Sequence, residues 1–341
     1  MTDKKNCNEL LCNRKNSVGG QAVLEGIMMK SKDKYSIAVR KDDGSISVSD
    51  HEFRSVRKRL KFLNIPILRG AVNFIETMML SYKTLAISAD ALGIAEEEES
   101  KFEKWLKKKF GKSIVDFVMV ISGVLGVAIA LGLFVFLPIL ATRGIEYLAG
   151  GELGLFKNLI EGCIKILIFI LYIWGVSFMK DIRRTFEYHG AEHKSIFCYE
   201  SGDELTVENV KKYKRFHPRC GTSFIFVVLI ISILVYSLPF VTWDNMLLRS
   251  LTKILLLPIV VGTSYEFIMW AGKHDNNIIA KILSAPGLFM QRITTKEPDD
   301  GQIEVAIVAL KRSLPEVFGN ESEAEAEVVL TKEENGDGTD K

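Results

Sequence analysis

The sequence predicts a mainly α-helical, polytopic membrane protein with about four transmembrane helices, one amphipathic or re-entrant helix and a small N-terminal β-hairpin element. Two observations carry this. Mean hydropathy is +0.16 although 25% of the 341 residues are charged, so the apolar residues must be concentrated, and they fall into four long runs. With 48% apolar residues and a net charge of +2, the chain is neither a disordered protein nor a nucleic-acid binder working through a basic surface.

The elements follow in chain order. Residues 1–16 are polar and lack the apolar region of a cleaved leader, which predicts a disordered tail starting in a reducing cytoplasm. The five cysteines, Cys7, Cys12, Cys163, Cys198 and Cys220, form no disulfide framework. Residues 17–112 read as a cytoplasmic region. Within it, Tyr35 to Val39 and Ser45 to Val48 alternate around Asp42-Asp43-Gly44 as a hairpin would. Pro66 to Gly93 is helix-length and carries Arg69, Glu76, Lys83 and Asp90 at every seventh position, on one face. Such a helix suits the cytoplasmic membrane face, a fifth span being the alternative.

Residues 113–316 read as the membrane domain. Its apolar runs are Ile114 to Ala141, Gly162 to Met179, Gly221 to Trp243, and Leu251 to Gly272, the last interrupted by Lys253 and Glu266. About 20 apolar residues span a bilayer core. The connector 180–220 is rich in basic residues, among them Lys180, Arg183, Arg184, Lys211, Lys212 and Arg215, whereas the other two connectors are nearly bare. Basic loops stay cytoplasmic, so four spans put both termini inside a multi-pass cell-membrane protein. Asp299-Asp300-Gly301 opens a short helix, Gln302 to Leu314, and the acidic stretch 317–341 reads as a disordered tail.

The chemistry-bearing residues gather beside the spans. Tyr188-His189-Gly190-Ala191-Glu192-His193 contains H-x-x-E-H, the inverted zinc-protease motif. On a helix, His189 and His193 lie one turn apart and reach one cation, with Glu192 beside them to take a proton from metal-activated water. His217-Pro218-Arg219-Cys220 adds a pair with ligand-like spacing where the third run begins. Either His217 or Cys220 serves as third ligand. The alternatives are that His217 and Arg219 reach lipid phosphate and that Cys220 is a small buried residue. Glu266 lies inside the fourth run, roughly 9 Å from its cytoplasmic end, and His274 follows at that end. An intramembrane carboxylate is a site candidate, while pairing with Lys273 is the other reading. His51, in a polar stretch, is assigned nothing.

These residues sit in a wider pattern. The stretch from Gly19 to Met29, Tyr-His-Gly-Ala-Glu-His-Lys ending at Lys194, His-Pro-Arg-Cys-Gly-Thr-Ser at 217–223, and Pro286-Gly287 through Gln291-Arg292 to Asp300 together resemble the YqhQ-like family of bacterial integral membrane proteins. The resemblance runs from Gly19 to Leu314, with conservative differences such as Ile27 and Ser195. It implies a multi-spanning protein with a metal-dependent enzyme site and brings no substrate. It also adds Gln21 and Glu25, which either close over the metal or edge a glycine-bounded packing element.

The expectation is therefore a membrane-embedded metal-dependent hydrolase, a peptidase or amidase before other types. His189, His193, His217 and Cys220 supply ligands for a divalent metal, zinc first, and Glu192 is the base. Gln21, Glu25, Glu266 and His274 are further site residues. Its partners would be membrane lipid, a membrane-proximal protein substrate and possible further copies of the chain. A non-enzymatic regulator or assembly factor with a structural metal is the alternative, because four protein ligands close a structural site. Transport, suggested by Glu266 and its small neighbours, is the third.

Overall fold

In the computed structural model, the described residues are 14, 17–93, 121, 124–151, 153–217, 220–238, 246–273 and 277–319. Four antiparallel strands form one sheet in chain order: β1, Val18–Val23; β2, Gly26–Ser31; β3, Lys34–Arg40; and β4, Ile46–Glu52. The hairpin expected from the sequence is β3–β4, and its turn is closed by Asp43 accepting from the Ser45 N–H at 2.8 Å. Strands β1 and β2 extend that hairpin to a four-stranded sheet. They escaped notice because β2 is buried on both faces, which erases the period-2 alternation of a half-solvated strand. Their turns also carry Glu25 (φ 47°) and Lys32 (φ 43°), not glycine, in the left-handed region.

The sheet is covered on both sides. Ile27, Met29 and Ala38 pack with Tyr188, Ala191, Ile303, Ala306 and Leu310 from two helices, α4 (Lys180–Ser201) and α9 (Asp300–Ser313). Val23, Met28, Tyr35, Ile37 and Val39 pack with Leu80 and Ile87 of α1 (Leu68–Ala91) on the other face. Each such side chain contributes about 1.5–3 kcal/mol of burial. Helix α9 starts on a capping box: Asp299 accepts from the Gln302 N–H at 2.7 Å, and Gln302 accepts from the Asp299 N–H at 3.0 Å. This is the short acidic-start helix expected after Asp299.

Three helices are long and apolar enough to cross a membrane: Val124–Ala149, Lys157–Val176 and Ser250–Ala271. Only 11%, 11% and 22% of their most apolar stretches are buried in protein, so the rest of each surface requires an apolar surrounding. The first ends in α2 (Leu137–Ala149), the second is α3 (Lys157–Val176), and the third lies within α7 (Met246–Lys273). The run from Gly221 to Trp243 gives a shorter apolar helix of 16 residues, α6 (Gly221–Tyr236); residues 239–245 lie outside the described residues. Between α4 and α6 sits a short helix, α5 (Val207–Lys211).

A helix that the sequence reading lacked, α8 (Ile278–Thr294), packs on α6. Pro286 and Gly287 both lie inside the helix. Gly287 is demanded by packing: a Cβ there would stand 2.6 Å from Ser223. The expected amphipathic helix is α1. Its Arg69 forms a bidentate pair with Glu266 on α7, and its Gly70 lies against Gly262 and Tyr265. Glu96 to Glu99 and most of both tails lie outside the described residues.

Candidate metal centre at the end of the helix bundle

Helix α4 leads away from α3 after Val176, and α6 starts beside it, so one end of the bundle meets the sheet layer. Helical periodicity brings the rings of His189 and His193 to 4.4 Å between centroids. Cys220 is the N-cap of α6 and accepts from the Thr222 N–H at 3.5 Å. One ligand atom from each of His189, His193 and Cys220 lies within 4.8 Å of the others. Around tetrahedral zinc, such atoms stand about 3.3–3.6 Å apart, so small side-chain adjustments close the set.

The imidazoles are oriented for this. His189 Nδ1 lies 2.9 Å from the Thr294 carbonyl, and His193 Nδ1 lies 2.5 Å from the Arg215 carbonyl. A carbonyl only accepts, so each Nδ1 carries its hydrogen and each neutral ring leaves Nε2 with a lone pair. Metal-binding histidines are usually anchored this way. His189 Nε2 is 3.1 Å from Cys220 Sγ. Burial disfavours charge on both, yet each stabilises the other: Cys220 is held well below the usual thiol range, and His189 is raised to about 9.

Glu192 is 5% exposed. Burial raises its pKa, against the pull of His193 and His189. Its carboxylate faces the backbone N–H of Gly20 on β1, and a Cβ at Gly20 would stand 2.8 Å from Glu192 Cγ. Only glycine admits this approach.

One segment braces the cluster from behind. Thr294 supplies the carbonyl to His189, and the Lys296 N–H donates to the Phe186 carbonyl at 2.8 Å. Glu297 accepts from buried Lys194 and, at 3.2 Å, from Arg215, whose own carbonyl holds His193. Gly190 allows the segment to lie down, since a Cβ there would meet the Lys296 carbonyl oxygen at 2.0 Å.

The candidates named from sequence divide accordingly. His189, His193, Glu192 and Cys220 converge. The His217 ring is 5.4 Å from that of His193 and stays outside the group of three ligand atoms. Gln21 donates to Thr84 at 3.2 Å and accepts from Ser81 on α1. Glu25 accepts from Arg184 and from Tyr188. Neither closes over the cluster: Gln21 lies on the sheet face that α1 covers, and Glu25 sits past the end of β1 in a left-handed turn (φ 47°). Glu266 pairs with Arg69 instead. His274 lies outside the described residues. His51 stacks on Tyr35 at 5.0 Å.

Sequence reasoning missed Thr294 and Arg215, which act through backbone carbonyls that side-chain identity does not signal. It also missed Gln291, Lys194 and Glu297 as supports, although all three lie inside the motifs quoted above.

Residues 65–316 match the family model described as "Protein of unknown function (DUF1385)". The chain is 38% identical over 303 residues to "Uncharacterized protein YqhQ" of Bacillus subtilis (strain 168), covering 87% of this chain and 92% of that protein. No solved structure matches.

Proposed function

The chain belongs to the DUF1385 family of proteins of unknown function, and from its site we propose that it is a membrane-embedded metal-dependent hydrolase acting on peptide or amide bonds. The observation that carries this is the convergence of His189, His193 and Cys220, both imidazoles anchored through Nδ1, with buried Glu192 between the histidines. Three protein ligands leave a position for substrate or water, the pattern of catalytic rather than structural zinc. A divalent ion, zinc first, would supply a Lewis acid and lower the pKa of water.

The chain's own groups do the rest. Glu192, with its pKa raised by burial, accepts a proton from the attacking water and returns it to the departing nitrogen. The water oxygen joins the carbonyl carbon, the C–N bond breaks, and an acid and an amine leave. Four spans, with the apolar run that begins with α6 as the third, would place both termini and the site on the cytoplasmic side; the basic connector 180–220 supports that orientation.

Metal analysis of gently purified protein tests the reading. A stoichiometric divalent ion is expected, and a Glu192→Gln variant should retain it while losing cleavage of a quenched fluorescent peptide pool. Protein that never retains an ion defeats the proposal.

A second reading, a regulator with a structural metal, draws on the burial of the cluster (His193 1% exposed, His217 5%) and the nearness of the His217 ring. Co²⁺ substitution separates the two. A four-ligand N₃S shell that excludes azide and water favours the structural site, and an exchangeable position favours hydrolysis.

A further inference from the structure

We propose that residues 54–76 form a hairpin that inserts into one leaflet of the membrane and holds anionic phospholipid headgroups at its neck. This is independent of the hydrolase reading and rests on Ser250–Ala271 crossing the membrane. Two short helical turns, Val56–Arg59 and Lys61–Asn64, precede α1. The Val56 N–H donates to Glu76 at 2.7 Å, the Ser55 hydroxyl donates to the same carboxylate at 2.8 Å, and Arg57 donates to Asn73 at 3.3 Å. Residues 55–57 therefore run beside α1 at 73–76, and residues 60–68 form the tip. That tip rests on α7: a Cβ at Gly262 would stand 2.2 Å from the Ile67 carbonyl oxygen. Gly262 lies nine residues before Ala271, the end of the candidate span, so the tip reaches about 13 Å into it at 1.5 Å per residue.

The side chains suit that depth. Leu60, Phe62, Ile65, Ile67 and Leu68 are 40–61% exposed, and an exposed apolar patch of this kind marks an interaction surface. Its seat on an apolar span makes acyl chains the matching occupant. The tip also satisfies backbone groups internally, as a lipid surrounding demands: Leu63 N–H donates to Leu60, Leu68 to Pro66 and Arg69 to Ile65. From Phe53 to Ile75 the chain carries Arg54, Arg57, Lys58, Arg59, Lys61 and Arg69 and no acidic residue. Lys58 pairs with Asp33 and Arg69 with Glu266. Arg59 and Lys61 are exposed and have no ion-pair partner among the described residues. They flank Leu60, where long cationic stems lie along apolar surface while their heads reach phosphate. Cations beside an inserted apolar tip favour anionic over zwitterionic headgroups. A second copy packed symmetrically on this surface would instead set the cations against their own equivalents.

The test uses the full-length protein. In detergent, native mass spectrometry measures binding of phosphatidylglycerol, phosphatidylcholine and inorganic phosphate. Phosphatidylglycerol should bind at least about tenfold more tightly than phosphatidylcholine, and inorganic phosphate should not compete with it at equal concentration. Arg59→Gln combined with Lys61→Gln should weaken phosphatidylglycerol by about tenfold or more, roughly fivefold per cation, and leave phosphatidylcholine unchanged. Lys212→Gln with Lys214→Gln, a charge-matched change at exposed positions by α5, should have little effect. In nanodiscs of the two lipids, Phe62→p-benzoylphenylalanine should crosslink to acyl chains on illumination, and the same probe at Lys212 should not.

Equal affinity for the two lipids, equal losses in the two double variants, or competition by inorganic phosphate as strong as by lipid overturns the headgroup site. Crosslinking of Phe62 to a second copy of the chain, or to no lipid at all, overturns the insertion. Should the Arg59 and Lys61 variant fail to fold, the lipid preference of the parent protein and the Phe62 crosslink still decide. None of these outcomes bears on metal content, so the hydrolase reading stands or falls separately.

Discussion

Gln291 grips His217 by both of its backbone groups: its side-chain oxygen accepts from the His217 N–H at 2.7 Å, and its amide donates to the His217 carbonyl at 2.7 Å. The same amide reaches Ser223 at 3.2 Å. This clamp fastens the loop leading into Cys220 to α8, and so holds the thiol under the histidines. A Gln291→Leu variant removes both bonds; the carbonyl keeps the Cys220 N–H at 3.3 Å, and loss of the side-chain acceptor for the buried His217 N–H should cost about 1–3 kcal/mol. Thermal unfolding should show the loss, and metal retention should fall with it. Unchanged melting would refute the clamp.

Glu297 stands two hydrogen bonds away from the candidate ligand His193. It neutralises Lys194, whose side chain is 4% exposed, and steadies Arg215, whose carbonyl orients His193. Removing a partner of this type typically weakens metal binding by about 10- to 100-fold. Glu297→Gln should do so in a chelator competition titration, with partial recovery in Glu297→Asp.

Metal affinity should rise with pH. The metal-free His189 keeps its proton up to about 9, and the neighbouring Cys220 thiol is held well below its usual range. Binding needs the neutral imidazole and therefore expels one proton across that window. Affinity should increase about tenfold per pH unit from neutrality and level off near 9. A flat profile would show that His189 is not a ligand.

Gly190→Ala should be severely destabilising, by about 1–3 kcal/mol or more, because the obstacle is the Lys296 backbone carbonyl and not a movable side chain. Gly221→Ala, where a Cβ meets nothing within 4 Å, is the control and should fall within about 0.5 kcal/mol of the parent. Equal melting of the two variants would mean that the 294–298 segment does not rest on α4.

Arg69 and Glu266 tie α1 to α7. Arg69→Ala leaves the carboxylate at Glu266 without its bidentate partner and should loosen α1, read as faster proteolysis after Arg57–Lys61. The pair is partly exposed, with side-chain values of 37% and 24%, so the effect should be milder than for a fully buried pair. The exchange Arg69→Glu with Glu266→Arg should restore protection; failure to do so would assign the effect to packing at Gly70.

The sequence by itself determined the apolar helices, the β3–β4 hairpin, the capped helix after Asp299, and the pairing of His189 with His193. Each is written in a local period or a local spacing, and the H-x-x-E-H turn needs nothing beyond one helix. Tertiary structure decided the rest. Cys220 joins the histidines from 27 residues beyond His193, because α6 packs where α4 begins to cover the sheet; His217, equally suggestive in sequence, stays outside the ligand group because Gln291 fixes its backbone. Gln21 and Glu25 go to α1 and α4, since Gln21 lies on the sheet face under α1 and Glu25 stands beyond β1 in a left-handed turn. Glu266, the carboxylate inside the last apolar run, is matched by Arg69, 197 positions away. Thr294 and Arg215 serve through main-chain oxygens, which every residue carries. Only the path of the chain determines which of those oxygens a histidine meets.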